Sequence, residues 1–438
     1  MKFKSSALIL TALFSTAFLG ACASSPESAS VSAAPAAQLQ TAIKLDANHW
    51  DAFNRAQIEK LLNAYGKHSA NYNPQRRPYA VFDWDNTMVF LDVQEATLIY
   101  QLENLRFSMT PEQLDKALRI DVPKTNFVKD YNNKAGQALN IELVAPDVVE
   151  SYRWIYSNYV GMKGKLSLAE VKRNPHYANF TTKVRYLYEA IGDTFDVSIA
   201  YPWVLYLLGG LSEQQVRAMA NEAVTWQRVQ PIEKVTWTSP ESLPGKSGVV
   251  SVGWKNGLRL LPEMQDIFRA FREAGIDIWV CTASLQEVIS EVSSNPAFGY
   301  YNPSERTIGM RLEYDAKGRL KSEYKHGYPQ TQRKGKTEVI NSHLVAKYGY
   351  GPIFVAGDSE GDMNMMQDFA DTKLVLIINR LKGLDIAKLS KQAVDSYGKA
   401  DAKVLLQGRN DNTGQFVPSQ AHYKLGSKDP IVLPPAKK

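Results

Sequence analysis

The chain has 438 residues, 44% of them hydrophobic, enough to bury the cores of two or three domains of usual size. Its 51 Lys and Arg against 45 Asp and Glu give a formal charge of +6 without a long block of like charge, which argues against a nucleic-acid partner. Two cysteines, Cys22 and Cys281, exclude a disulfide scaffold, and none of the six histidines pairs with another at metal-ligand spacing, so no zinc site is assigned.

Residues 1–21 read as a secretory signal: Lys2 and Lys4 form a basic start, residues 7–18 an apolar stretch too short to span a membrane, and Leu19-Gly20-Ala21 precedes Cys22. The Leu-Gly-Ala-Cys run resembles the lipobox of bacterial lipoproteins, which implies lipidation of Cys22 and a lipid anchor to a membrane. With Ala23 rather than an acidic residue next, the same resemblance points to the periplasmic side of the cell envelope, and to the outer membrane before the inner. Residues 22–44, rich in Ser, Ala and Pro, form a tether.

Residues 51–65 place Phe53, Ile58, Leu61, Leu62 and Tyr65 near helical spacing, and the apolar run 79–82 then reads as a strand. Residues 91–255 lack a strand-helix rhythm and are aromatic-rich and mostly helical in pattern. They are expected to form a lid over a site. From residue 256 helix and strand alternate: a helix opened by Pro262 and closed near Gly275, a strand at 276–281, a helix around residues 285–292, a hairpin at 308–324, a helix at 336–347, and strands at 353–356 and 374–378. Such alternation predicts an α/β protein with a Rossmann-like, doubly wound parallel sheet. The core is expected at 45–90 and 256–400, with 401–438 as a C-terminal extension.

Ligands on such sheets bind beyond the carboxyl ends of the strands, where Asp83, Thr282 and Asp358 all fall. Asp83 and Asp85, separated by one residue, suit a nucleophile beside a general acid and base for phosphoryl transfer. Two close carboxylates call for a cation, and Mg²⁺ fits an all-oxygen site. Asp358 in Gly357-Asp358-Ser359-Glu360-Gly361-Asp362 is the natural further ligand, and Asp362 either a ligand or an anchor behind one. Thr282 can donate a hydroxyl to a phosphoryl oxygen, with Ser284 competing for the role. Lys336 can neutralise phosphate charge, with Lys334 as its rival.

These four motifs in this order resemble the haloacid dehalogenase superfamily of phosphatases, with Asp83/Asp85, Thr282, Lys336 and Asp358/Asp362 at the motif positions. The resemblance implies Mg²⁺-dependent hydrolysis of small phosphate esters through an aspartyl-phosphate, with metal held by Asp83, Asp85, Asp358 and Asp362. It also makes the insert at 91–255 a C1-type cap. The segments Asp83-Trp84-Asp85-Asn86-Thr87, Asp92-Val93-Gln94-Glu95-Ala96, Thr282-Ala283-Ser284 and Gln407-Gly408-Arg409-Asn410-Asp411-Asn412 look like those of bacterial phosphorylcholine phosphatases. Recognition of choline would then call on Asp92 and Glu95 as candidate contacts for a cationic head group, with cap aromatics around Tyr152, Trp154, Tyr156, Tyr201 and Trp203 as further candidates, although at these spacings the aromatics read first as core of a helical cap. The alternatives are a broad-specificity acid or phosphoserine-type phosphatase and a non-catalytic metal-binding or envelope lipoprotein. A second carboxylate at Asp85 favours catalysis over the last of these.

Overall fold

Tyr79–Phe82 is buried at all four positions, as a strand covered on both faces must be, and it stands at the centre of the sheet. The computed structural model describes residues 42–46, 48–70 and 72–435; the expected signal, Cys22 and most of the expected tether lie outside them. Six parallel strands make up the sheet: β1 (Tyr79–Phe82), β2 (Asp277–Leu285), β3 (Thr307–Met310), β4 (Phe354–Gly357), β5 (Leu374–Ile378) and β6 (Val404–Gln407). Their order is β6-β5-β4-β1-β2-β3, with Val81 opposite both Val355 and Trp279. Succession runs outward from β1 on one side and resumes at β4 on the other, so the switch point lies at β1.

Side-chain alternation along the strands divides the core in two. Ala80, Phe82, Ile278, Val280, Phe354 and Leu376 join one cluster with Phe268 and Phe271 of helix Pro262–Glu273. Tyr79, Val81, Val355, Val375 and Ile377 join the other with Val339, Ile340, Leu344 and Leu389. Two apolar faces, each under helices, are what a doubly wound sheet requires.

The insertion leaves and returns through a short antiparallel ladder, Val89 opposite Leu260 and Phe90 opposite Arg259. Between them come helices Val93–Glu103, Pro111–Arg119, Ile141–Asn158, Leu168–Lys172, Pro175–Thr194, Val197–Tyr206 and Glu213–Gln227. A hairpin of Glu233–Thr238 and Ser251–Asn256 follows, which the helical reading of this stretch did not include. Helices 141–158 and 175–194 are joined through Asp147, whose carboxylate accepts from Lys183 Nζ at 3.0 Å, Ser247 Oγ at 2.6 Å and two backbone N–H groups. Both Lys183 and Asp147 are buried, so removing either would strand a charge away from water.

Three expectations change in detail. The strand expected at 276–281 runs on to Leu285, with a register shift between Cys281 and Leu285 that interrupts its pairing with β3. Of the segment expected as a hairpin, Thr307–Met310 joins the main sheet, and the hairpin is Leu312–Tyr314 with Leu320–Tyr324. Residues past 400 are no appendage: β6 is an edge strand of the sheet, and a four-stranded sheet of short strands follows it.

Candidate active site

The carboxyl ends of β1, β2, β4 and β5 open into a cavity of about 290 Å³, roofed by Tyr188, Ala200, Tyr201 and Val204 of the inserted helices. The sequence-derived carboxylates, hydroxyls and lysine of the site reach it: Asp83, Asp85, Asp92, Glu95, Thr282, Ser284, Lys336, Asp358 and Asp362 line its wall.

At the floor, Lys336 Nζ donates to Asp83 Oδ1 and Asp362 Oδ1, both at 2.6 Å, and all three side chains are buried. Lys334, its rival in the sequence, is exposed and does not line the cavity. Gly335 lies between them because a Cβ there would stand 1.7 Å from Gln330 O. The Thr87 hydroxyl lies 2.9 Å from Asp83 Oδ2 and 3.2 Å from Asp358 Oδ1. Asp362 Oδ2 accepts the N–H groups of Asp358 and Ser359, at 3.0 and 3.1 Å, and so holds the loop that presents Asp358.

Asp83, Asp358 and Asp362 each bring a carboxylate oxygen within 4.8 Å of the others. Burial, with Asp362 next to it, raises the Asp83 carboxyl well above its ordinary range, against the opposing pull of Lys336. Burial alone would lower the Lys336 ammonium, but Asp362 and Asp83 overrule it and raise it. Three carboxylates set against the Lys336 ammonium, shared by Asp83 and Asp362, and the Arg380 guanidinium on Asp358 leave one negative charge over, and hard oxygen donors of this kind fit a divalent cation such as Mg²⁺.

Asp85 departs from expectation. Its side chain stands outside that group: Oδ1 accepts from Val93 N at 2.7 Å and Oδ2 from Ser284 Oγ at 2.5 Å. Burial and then Asp92 raise its carboxyl well above the usual range, the direction that favours its protonated form. Ser284 is thereby engaged with Asp85. Thr282 is freer: its Oγ1 accepts from Ser284 N at 3.1 Å and keeps its own proton to give. The register shift in β2 turns both hydroxyls toward the cavity.

The cap-side wall is acidic. Asp92 caps helix Val93–Glu103 through Glu95 N, and Glu95 pairs with the fully buried guanidinium of Arg185, which also holds Glu189. Burial raises Glu95 to about 7 despite Arg185. Of the cap aromatics singled out in the sequence, only Tyr201 lines the cavity. Tyr152 and Trp203 are core residues whose polar atoms donate to Met109 O and Leu118 O, and Trp154 stacks on His176.

Sequence reasoning missed Tyr188, Arg380 and Lys382. Arg380 donates to Asp358, and Lys382 lies exposed on the same wall. Both follow the carboxyl end of β5, so the strand-end rule that located Asp83, Thr282 and Asp358 would have found them.

Residues 249–367 match the haloacid dehalogenase-like hydrolase family, a span that includes Thr282, Lys336, Asp358 and Asp362. Over 370 residues the chain is 22% identical to a Pseudomonas aeruginosa protein named phosphorylcholine phosphatase, covering 79% of this chain and 84% of that one. The crystal structure of a conserved protein of unknown function from Anaerococcus prevotii superposes with a TM-score of 0.82 at 32% identity, over 87% of this chain and 98% of that one.

Proposed function

We propose, for a chain that belongs to the haloacid dehalogenase-like hydrolase family and is a phosphatase, the Mg²⁺-assisted hydrolysis of small phosphate monoesters through an aspartyl-phosphate intermediate. The observation that carries this reading is the pairing of Asp83, held by Lys336 at 2.6 Å and by Thr87 at 2.9 Å, with a second carboxylate two residues on in the same cavity.

Asp83 attacks phosphorus in line, forming an O–P bond as the ester O–P bond breaks, and Asp85 gives its proton to the departing alkoxide. Asp85 then takes a proton from water as that water attacks phosphorus, releasing Asp83 and inorganic phosphate. Lys336 and the Thr282 hydroxyl face the phosphoryl oxygens and favour the charge that develops there. Asp83 and Asp358 would hold Mg²⁺, with Asp362 anchoring the loop behind them. When bound, Mg²⁺ neutralises the phosphoryl oxygens that the nucleophile approaches. The cap helices exclude water from the reaction.

A small ester with a cationic head group, phosphocholine first, is the substrate class we favour. Its support is the acidic wall of Asp92 and Glu95 beside Tyr188 and Tyr201, together with the name of the Pseudomonas relative. Arg380 and Lys382 in the same cavity support a second reading, in which an anionic head group such as that of phosphoserine is accepted. Phosphate release from phosphocholine, phosphoethanolamine, phosphoserine, glycerol phosphate and a nucleotide monophosphate, with Mg²⁺ and with chelator, tests both. Preference for phosphocholine upholds the first, equal rates the second, and no release in any arm removes the catalytic reading.

Attachment to the periplasmic side of the bacterial envelope through lipid on Cys22 is proposed from the sequence pattern of residues 1–23. Failure of Cys22→Ser to release the protein from membranes would end that proposal.

A further inference from the structure

Four non-glycine residues with left-handed backbone flank the reacting groups: Asn86 (φ 61°) and Leu91 (φ 71°) after the first motif, Leu381 (φ 54°) and Leu384 (φ 62°) after β5. Such conformations cost energy in any residue with a Cβ and persist only where the surroundings over-determine them. Both loops are held from the same place, the small sheet that follows β6.

Arg409 is the link to the first loop. Its side chain is 2% exposed, with the guanidinium 4.9 Å from the Phe90 ring centroid. One nitrogen donates to Asn86 O at 3.2 Å, and the other two face Asp411 Oδ1, each at 3.1 Å. Asp411 is fixed in turn by Lys255 Nζ at 2.7 Å, at the base of the cap, and by its own N–H to Tyr423 O. Planar geometry matters here, because a single ammonium cannot reach Asn86 O and also bring two nitrogens to converge on Asp411 Oδ1.

His422 is the link to the second loop. It is buried, and Nδ1 donates to Asn379 O at 2.9 Å. The Asn379 amide donates to Gln420 O and Val432 O, both at 2.8 Å, and its own carbonyl oxygen receives Leu381 N at 2.9 Å. Asn379 immediately precedes Arg380, the partner of Asp358. Burial, only partly offset by Asp411, lowers His422 to about 4, so it bridges as a neutral ring at any ordinary pH. Gly408 lets the two chains meet, since a Cβ there would lie 2.2 Å from Ala421 O.

We propose that the segment after β6 is a positioning clamp for catalysis: Arg409 fixes the turn that carries Asp83 and Asp85, and His422 fixes the turn that carries Arg380. The two are positioning residues, since neither lines the cavity. The proposal rests on the phosphatase mechanism above for its catalytic consequence, and on the two strained loops for its structural one.

Arg409→Lys in the full chain keeps the buried charge and removes the fork. Two readouts apply to it: steady-state hydrolysis of p-nitrophenyl phosphate with Mg²⁺, and amide hydrogen exchange. We expect kcat to fall at least about tenfold with KM within about threefold, as for a small misplacement of reacting groups. Exchange at residues 84–91 should accelerate by a similar factor while helix Pro175–Thr194 keeps wild-type protection. Either readout unchanged in folded protein overturns the clamp, and so does a loss of protection spread evenly over the chain. His422→Phe, read at residues 379–384, decides the case by the same criteria if Arg409→Lys does not fold. Exchange does not depend on turnover, so a wild-type chain that hydrolyses nothing would sink the mechanism while exchange alone decided whether the loops are clamped.

Discussion

The floor of the cavity and its cap-side wall are built on opposite plans. On the floor, Asp83, Lys336, Asp358 and Asp362 come from the ends of parallel strands and one helix start, and their polar atoms are interlocked at 2.6–3.2 Å. The cap-side wall draws Asp92 and Glu95 from the first inserted helix and Tyr188 and Tyr201 from helices about a hundred residues later, and it leans on the buried charge of Arg185. The floor has a geometry that one chemistry needs. The wall has a charge and a shape that can be changed without touching that chemistry.

Mutation at the floor should therefore remove turnover, and mutation at the wall should redistribute it among substrates. Asp83→Asn gives the largest effect: phosphate release falls by at least about a thousandfold, with the far-ultraviolet spectrum unchanged. Retained turnover would dismiss Asp83 as nucleophile.

Chelation comes next. Removing divalent metal should abolish activity, and Mg²⁺ should restore it, with calorimetry showing about one site of binding that Asp358→Asn loses. Full activity in chelator would mean that the carboxylate group serves only Lys336.

Lys336→Ala is expected to cost about a hundredfold in kcat/KM and about 3 kcal/mol of stability, because Asp83 and Asp362 lose their shared buried cation. Lys334→Ala, at an exposed position, should change stability by less than about 0.5 kcal/mol. Denaturant melts of the pair compare a buried charge with a solvated one in the same turn.

The smallest effect on activity belongs to the wall. Glu95→Gln should raise KM for phosphocholine about tenfold, or about 1.4 kcal/mol, and leave glycerol phosphate nearly unchanged. Arg185 keeps Glu189 in that variant, so the cap should still fold. Wild-type pH dependence follows from the same carboxyl. Burial raises Glu95 from 4.5 to about 7, so between these values the folded protein holds a proton that the unfolded chain has lost. Stability from this group is then full below 4.5 and declines as pH rises through 7. A charged Glu95 attracts a cationic head group, so KM for phosphocholine should fall as pH passes 7, beyond any change seen with glycerol phosphate. A profile that survives in Glu95→Gln would place the titrating group elsewhere.

How much of this could be read from the residues differs between the same two regions. The floor was legible because each of its side chains sits at a strand end or a helix start, and strand, turn and carboxylate leave a local signal. Even there the side chain of Asp85, named with the metal ligands, keeps apart from the other three carboxylates, since its hydrogen bonds come from Val93, eight residues on, and from Ser284 across the sheet. The wall was legible only in Asp92 and Glu95, which follow the first motif closely. Tyr188 carries the same pattern as any core tyrosine of an aromatic-rich helix, and the tyrosines and tryptophans at 152 and 203 proved to be such core. The strand at 404–407 was missed because Val404-Leu405-Leu406 is too short a run to declare itself without its neighbour β5.

Apolar alternation and the four motifs were sufficient, by themselves, to predict the parallel sheet and the residues of the floor, because strand, turn, helix start and carboxylate each leave a local signal in the sequence, although the contacts that join them run between distant parts of the chain. Tertiary structure alone decided which lysine is buried, which aromatic reaches the cavity, that the carboxyl-terminal segment completes the sheet, and that Arg409 meets Asn86. Each of these is a contact between residues far apart in sequence, settled by how helices and strands pack and by which charges that packing withdraws from water.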